Sequence, residues 1–144
     1  MTSRGKQFKE LMHAKEILIQ PGVYDGYSVR LIEQAGFKTA SISGAGVSES
    51  RMGWADRGVM TFEENLNNAR RLADCSDLLL RADADTGYGN AMNVRRTVRD
   101  YEKAGVAALH LAALQAPAGD AAPAGALSRP LFAAPAAWVG VVVL

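Results

Sequence analysis

The sequence predicts an α/β protein in which the strands of a parallel sheet alternate with helices. Short apolar runs that suit strands are separated by longer segments whose apolar residues recur at helical spacing. Helix-start signals fall between the runs, the clearest being Thr61 followed three residues later by Glu64, which is a capping box. Glycines such as Gly36 and Gly105 follow the helical segments and end them. Strands and helices that alternate in this way form βα units.

The predicted elements run in the order helix, three strand–helix pairs, and a fourth strand. Asp25 is a candidate N-cap for the second helix because its side chain can accept from backbone N–H groups of the first turn. A tight glycine turn and a long polar loop separate the second strand from the third helix. The predicted bounds are helix Arg4–Ala14, strand Ile17–Gln20, helix Asp25–Ala35, strand Thr39–Ile42, turn Ser43–Gly46, loop to Met60, helix Thr61–Ala73, strand Leu78–Ala84, helix Asn93–Ala104 and strand Val106–Leu111.

After Leu111 the sequence changes character and becomes rich in alanine and proline. Residues 112–137 show neither helical nor strand periodicity, and we predict mostly irregular structure for them. The last residues, WVGVVVL at Trp138–Leu144, suit either a strand or an apolar tail. We therefore divide the chain into a βα region, 1–111, and a tail, 112–144.

Bulk properties exclude several classes of function. The net charge is +1, with acids and bases interspersed, so the 144-residue chain has no basic surface for nucleic acid. No apolar run approaches the roughly 20 residues needed to cross a bilayer. The N-terminal residues lack the apolar core of a secretory signal, and Cys75 is the single cysteine. A cysteine without a partner in the chain suits a reducing compartment, and we expect a cytoplasmic protein.

Polar residues follow the apolar strands, and RADADTGYGN at Arg81–Asn90 holds the most informative of them. Asp83 and Asp85 are two residues apart, so strand geometry predicts that both carboxylates point to one face. Like charges at that spacing require a cation or protons. Carboxylates without a His or Cys cluster favour Mg²⁺ over zinc. Functional groups gather at the carboxyl ends of parallel strands, where the sequence places Tyr24, Asp25, Ser43, Gly44, Ala45, Asp83, Asp85 and His110.

Three segments of the sequence resemble the isocitrate lyase/phosphoenolpyruvate mutase superfamily. They are PGVYDGYSVRLIEQAGFKTASISGAG, the Gly53–Asp56 loop, and DADTGYGN followed by RTVRDYEKAG, and the resemblance covers Phe8 to Leu111. It implies a (β/α)8 TIM-type barrel, here truncated after about the fourth strand, of which 1–111 is the N-terminal half. It also implies Mg²⁺ as cofactor and a small carboxylate or phosphonate substrate. The corresponding activity is carbon–carbon cleavage of 2-hydroxy di- or tricarboxylates through an enolate, as in methylisocitrate lyase.

The resemblance also implies roles for the residues at the strand ends. Asp83 and Asp85 match the metal-holding pair, and Asp56 matches a loop aspartate near the metal. Asp56 and His110 are the catalytic candidates, His110 being either a pocket residue or a structural strand-end histidine. The residues matching substrate-binding positions are Tyr24, Asp25, Ser43, Gly44 and Ala45.

The sequence departs from the family pattern at several positions. Ala112 and Ala113 stand where the family has a Glu-Asp pair, Arg81 stands at a usually apolar position, and the cysteine-bearing catalytic loop has no counterpart. Three hypotheses therefore stay open: a lyase, a phosphonomutase or phosphonate hydrolase, and a non-catalytic truncated or frame-shifted product that associates with full-length subunits. A homo-oligomer is compatible with the resemblance, but the C-terminal helices on which the family's tetramers rely are not found here.

Overall fold

The computed structural model describes residues 3–114 and 137–144. Its core is a five-stranded sheet in the order β1-β2-β3-β4-β5, in which β1 to β4 are parallel and β5 is antiparallel to β4. The bounds are α1 Arg4–Met12, β1 Gly22–Val23, α2 Gly26–Gln34, β2 Thr39–Ile42, α3 Gly44–Val47, a π-helical segment Ser48–Met52, α4 Phe62–Asp74, β3 Leu79–Asp83, α5 Ala91–Lys103, β4 Ala108–Leu114 and β5 Ala137–Val143.

The main core lies between one face of the sheet and the helices α2, α4 and α5. Leu80 and Ala82 of β3 point into it and are fully or almost fully buried. They meet Leu66 and Leu72 of α4, which recur at helical spacing along one face, and Tyr101 of α5. The opposite face of β3 carries Arg81 and Asp83, as the alternation of strand side chains requires.

Helix α1 packs at the amino ends of the strands. Phe8 is completely buried against Leu79 and Ala108 in a second, smaller apolar cluster. Arg4 donates hydrogen bonds to the carbonyl oxygens of Leu78 and Gly105 at 3.4 and 3.3 Å. Asp83 and His110 lie toward the opposite, carboxyl ends of the strands, which α1 does not cover.

Several predicted element bounds agree closely with the structure, but the first strand is misplaced. Strand Thr39–Ile42 and the helix capped by Thr61 form as predicted. The first strand is Gly22–Val23 and does not include Ile17–Gln20, where Ile17 is 87% exposed. Pairing with β2 places the first strand at Gly22–Val23, because Ser41 of β2 lies opposite Gly22.

The other corrections concern helix starts and loops. Asn90, three residues before the predicted Asn93, caps α5 by accepting from the N–H groups of Met92 and Asn93. The predicted glycine turn after β2 is the short helix α3, capped by Ser43, and the predicted polar loop begins as the π-helical segment.

The predicted tail is described only at its ends. Strand β4 continues through Leu114, so the predicted boundary at 111/112 falls inside a strand, and residues 115–136 lie outside the described part of the chain. The terminal apolar residues form β5, which pairs along the whole of β4. Because β5 is antiparallel, the sheet departs from an all-parallel barrel at this edge. No helix within the described ranges is long and apolar enough to cross a membrane.

Candidate metal and carboxylate site at the strand ends

Asp83 is the last residue of β3 and is half-buried between neighbouring elements. Its Oδ1 accepts a hydrogen bond from the backbone N–H of Asp85 at 3.1 Å. Its Oδ2 lies against Gly44 of α3, where a Cβ atom would come within 2.8 Å of that oxygen. The absence of a side chain at Gly44 therefore allows the carboxylate to lie against the start of α3.

Asp85 lies in the turn after β3 with a φ of 46°, a left-handed conformation that few residues other than Gly, Asn and Asp adopt. Burial raises the pKa of the Asp85 carboxyl, the nearby Tyr88 hydroxyl lowers it, and the Asp83 and Asp56 carboxylates raise it further. Negative charges therefore act on this position. That strand alternation points both carboxylates to one face stays a prediction, because β3 ends at Asp83 and Asp85 lies in the turn beyond it. Asp56 belongs to this group through its charge, although it is exposed on the loop before α4.

His110 lies on β4 directly opposite Asp83 in the parallel register. Burial lowers the pKa of its imidazole, and the Arg81 charge acts in the same direction, whereas the Asp83 and Asp85 carboxylates oppose the shift. Its Nε2 is buried and has no hydrogen-bond partner among the described residues. The structure therefore brings His110 to the two aspartates as the strand order predicts.

The residues at the ends of β1 and β2 have definite local roles. Asp25 caps α2, as predicted, by accepting at 2.8 Å from the N–H of Ser28, and this backbone bond is the main cause that lowers its pKa. Ser43 caps α3 by accepting from the N–H of Gly46 at 3.0 Å. Tyr24 packs over Gly46, where a Cβ would meet its side chain at 3.1 Å. Gly44 and Ala45 form the first turn of α3, whose N–H groups have no intrahelical acceptor.

Two supporting residues, Asn65 and Tyr88, are absent from the sequence-based prediction of the site. Asn65 of α4 is buried and donates to the carbonyl oxygen of Asp83 at 3.2 Å and to the Tyr88 hydroxyl at 2.7 Å. Tyr88 also stacks edge-to-face on Phe62, with ring centroids 5.5 Å apart. The available signal for Asn65 was its place on the apolar face of α4, where a polar residue must find buried partners.

The carboxylates at the end of β3 fit Mg²⁺, and they do not fit a metal that needs three or more protein ligands. Within residues 3–114 and 137–144, no group of three or more His, Cys, Asp or Glu side chains is placed to hold a metal ion. Mg²⁺ keeps several waters and uses one or two carboxylates together with substrate oxygens. Asp83 and Asp85 supply that minimum, and the charge of Asp56 acts on Asp85.

Comparison with known proteins gives a consistent family and fold. A family model described as phosphoenolpyruvate phosphomutase matches residues 8–126. The chain is 40% identical over 105 residues to 2,3-dimethylmalate lyase of Eubacterium barkeri, covering 73% of this chain and 36% of that protein. It is also 40% identical over 106 residues to the chloroplastic carboxyvinyl-carboxyphosphonate phosphorylmutase of Arabidopsis thaliana, covering 73% and 31%.

The solved structures similar to this chain include phosphonopyruvate hydrolase in complex with oxalate and Mg²⁺. The TM-score is 0.68 at 28% identity, over 73% of this chain and 37% of that one. This likeness confirms the predicted fold class, α/β with the parallel βα units of a (β/α)8-type barrel. The chain spans about a third of the length of the proteins that it matches.

Proposed function

Because the chain belongs to the phosphoenolpyruvate phosphomutase family, we propose that Asp83 and Asp85 bind Mg²⁺ together with a small carboxylate. The family match confirms the resemblance to the isocitrate lyase/phosphoenolpyruvate mutase superfamily, whose matched members are named as lyases and mutases. The reaction that we assign to this site is carbon–carbon cleavage of a 2-hydroxy di- or tricarboxylate. The relative named 2,3-dimethylmalate lyase supports that choice.

The observation that carries the proposal is the pair of carboxylates at the end of β3. Asn65 donates to the backbone carbonyl of Asp83, and the missing side chain of Gly44 leaves space for the Asp83 carboxylate. Asp85 is half-buried and its pKa is raised. Such a pair is unfavourable without a cation. When bound, Mg²⁺ would neutralise the pair and polarise a substrate carbonyl or hydroxyl oxygen.

The neighbouring residues of the chain orient the substrate and handle protons. The first N–H groups of α3, at Gly44 and Ala45, are available to donate to a substrate carboxylate beside Asp83. Burial lowers the pKa of His110, which favours the neutral imidazole, and its unpartnered Nε2 can hold a proton for donation to a substrate oxygen. Tyr24, packed over Gly46, forms one wall of this region.

We expect binding, rather than turnover, from the chain by itself. It spans about a third of the length of its relatives, and the rest of a barrel would supply the remaining substrate contacts. The antiparallel β5 covers the edge of β4 at which a parallel barrel would add its next strand.

A second catalytic candidate is a phosphonate mutase or hydrolase. It is supported by the 40% identity to carboxyvinyl-carboxyphosphonate phosphorylmutase. The two candidates differ in the ligand that competes best for the Mg²⁺-loaded site, a 2-hydroxy dicarboxylate for the lyase and phosphonopyruvate for the mutase or hydrolase.

Titration calorimetry of Mg²⁺ with oxalate present tests the proposal. We expect saturable binding by the wild type and its loss in Asp83→Asn and Asp85→Asn. Asp74→Asn is the matched control, because Asp74 is an exposed aspartate at the end of α4. Equal binding by all four proteins, or no binding by a folded wild type, would refute the proposed site.

A further inference from the structure

Arg81 is a cation on the same face of the sheet as the proposed metal ligands. It lies on β3 two residues before Asp83, so both side chains project from one side of the strand. Its neighbours across the sheet are Ser41 on β2 and Ala108 on β4. The guanidinium therefore lies one layer below the carboxylates.

One buried N–H donor of Arg81 has no partner within the described residues. Nη2 donates to the hydroxyl of Ser41 at 2.9 Å, while Nε is buried and has no partner. No described carboxylate lies within ion-pair distance of this guanidinium. Leaving a guanidinium N–H buried away from water without an acceptor is costly.

Asp83 does not accept a hydrogen bond from Arg81 in the structure. Its Oδ1 accepts from the N–H of Asp85, and its Oδ2 lies against Gly44 on the side of α3. The charge of Asp83 acts on Arg81, where it opposes the lowering of the Arg81 pKa by burial. No hydrogen bond joins the two side chains within the described residues, so Nε of Arg81 remains for an acceptor from outside them.

A second unpartnered group lies beside Arg81. His110 is opposite Asp83 on β4, which makes it the diagonal neighbour of Arg81 on the same face. Diagonal neighbours in a sheet are within reach of long side chains, and Nε2 of His110 is buried without a partner. One carboxylate between them would accept from the guanidinium and from the imidazole.

We infer that Arg81, assisted by His110, binds the distal carboxylate of a dicarboxylate whose hydroxy-acid end lies at Asp83 and Asp85. This inference rests on the proposed function and deepens it by naming the residue that would recognise the distal carboxylate of the substrate. Two residues of strand span about 6.6 Å, and the long side chain of Arg81 shortens the gap that a four-carbon dicarboxylate has to bridge. The planar fork of arginine matches a carboxylate in two parallel hydrogen bonds, so the site selects dicarboxylates over monocarboxylates.

The test compares two 2-hydroxy acids that differ in the distal carboxylate, malate and lactate, each titrated into the chain with Mg²⁺. We expect the wild type to prefer malate. Arg81→Met should reduce malate affinity about 10- to 100-fold, the usual range for a lost charged hydrogen bond, and leave lactate affinity within about twofold. Arg81→Lys, which keeps the charge without the fork, should give an intermediate preference. Arg95→Met on the exposed face of α5 is the matched control.

The outcomes separate this inference from the proposed function. If wild type and Arg81→Met bind both acids with the same preference, Arg81 does not select dicarboxylates and the inference is wrong. If Arg81→Met instead strengthens Mg²⁺ binding equally with both acids, Arg81 is only a counter-ion for Asp83, which also overturns it. A folded wild type that binds neither acid with Mg²⁺ refutes the proposed function, and the inference with it.

Discussion

Replacing Asp85 by asparagine should stabilise the metal-free chain while abolishing Mg²⁺ binding. The pKa of Asp85 is raised by burial and by the Asp83 and Asp56 carboxylates. Because the folded state holds the proton more tightly than the unfolded state, Asp85 contributes stability below its ordinary pKa of about 3.9. That contribution is lost as the pH rises through the raised folded-state pKa. Asp85→Asn has no charge to bury and should not show this loss.

The expected gain follows from the repulsion between Asp83 and Asp85. Their Cα atoms are at most about 7 Å apart, the reach of two residues. An effective dielectric constant between about 20, typical of pairs near a protein surface, and about 80, that of water, gives about 0.6–2.4 kcal/mol for two unit charges about 7 Å apart. The variant should therefore exceed the wild type by roughly that amount at pH 7 and low salt, and the gain should shrink as salt screens the pair.

Urea denaturation at pH 3 and pH 7, without metal and then with saturating Mg²⁺, measures these effects. The free energies of unfolding of wild type and Asp85→Asn should converge at pH 3 and differ at pH 7. Mg²⁺ should stabilise the wild type, by about 2.7 kcal/mol at one hundred times Kd, and not the variant. Asp74→Asn should behave as the wild type throughout. A variant that is less stable than the wild type at pH 7 without metal would refute the electrostatic reasoning.

Two further predictions concern the residues that hold Asp83. Gly44→Ala would place a Cβ 2.8 Å from Asp83 Oδ2. Because it would displace a metal ligand, it should weaken Mg²⁺ binding about 10- to 100-fold in titration calorimetry. Gly26→Ala is the control, because no atom lies within 4 Å of a Cβ at that position. Asn65→Ala removes two donors from a buried position and should cost about 2–3 kcal/mol in urea denaturation. Asn67→Ala, at a partly exposed position on the same helix, should change stability by less than about 0.5 kcal/mol, and an equal loss in both variants would contradict the assigned role of Asn65.

The sequence predicts most of the sheet because its signals are local. The capping box at Thr61 and the strand Thr39–Ile42 depend on neighbouring residues and form as expected. The first strand is misplaced, because the apolar residues Ile17 and Ile19 satisfy a strand pattern but have no neighbouring strand to pair with. Likewise, the antiparallel pairing of β5 with β4 joins segments that are far apart in the sequence, and no local pattern fixes its direction.

The sequence predicts the site residues that follow from strand order. It does not predict the contacts that depend on how helices pack on the sheet. The spacing of Asp83 and Asp85 is visible in the sequence, and their convergence with His110 follows from parallel strand order. The role of Asn65 depends on how α4 lies over β3, which fixes both its contacts. The unpartnered Nε of Arg81 is likewise a property of the folded sheet, since only there is that atom buried.

The most direct test of the central claim is the position of a bound metal, measured by NMR with Mn²⁺ in place of Mg²⁺ and oxalate present. A paramagnetic ion broadens the resonances of nearby amides. We predict selective broadening at residues 43–45, 83–85 and 110–112, its removal by excess Mg²⁺, and its loss in Asp83→Asn. Broadening centred elsewhere, for example on the exposed acids of α4, or broadening that Asp83→Asn leaves unchanged, would contradict the claim that the ends of β2, β3 and β4 form a magnesium and carboxylate site.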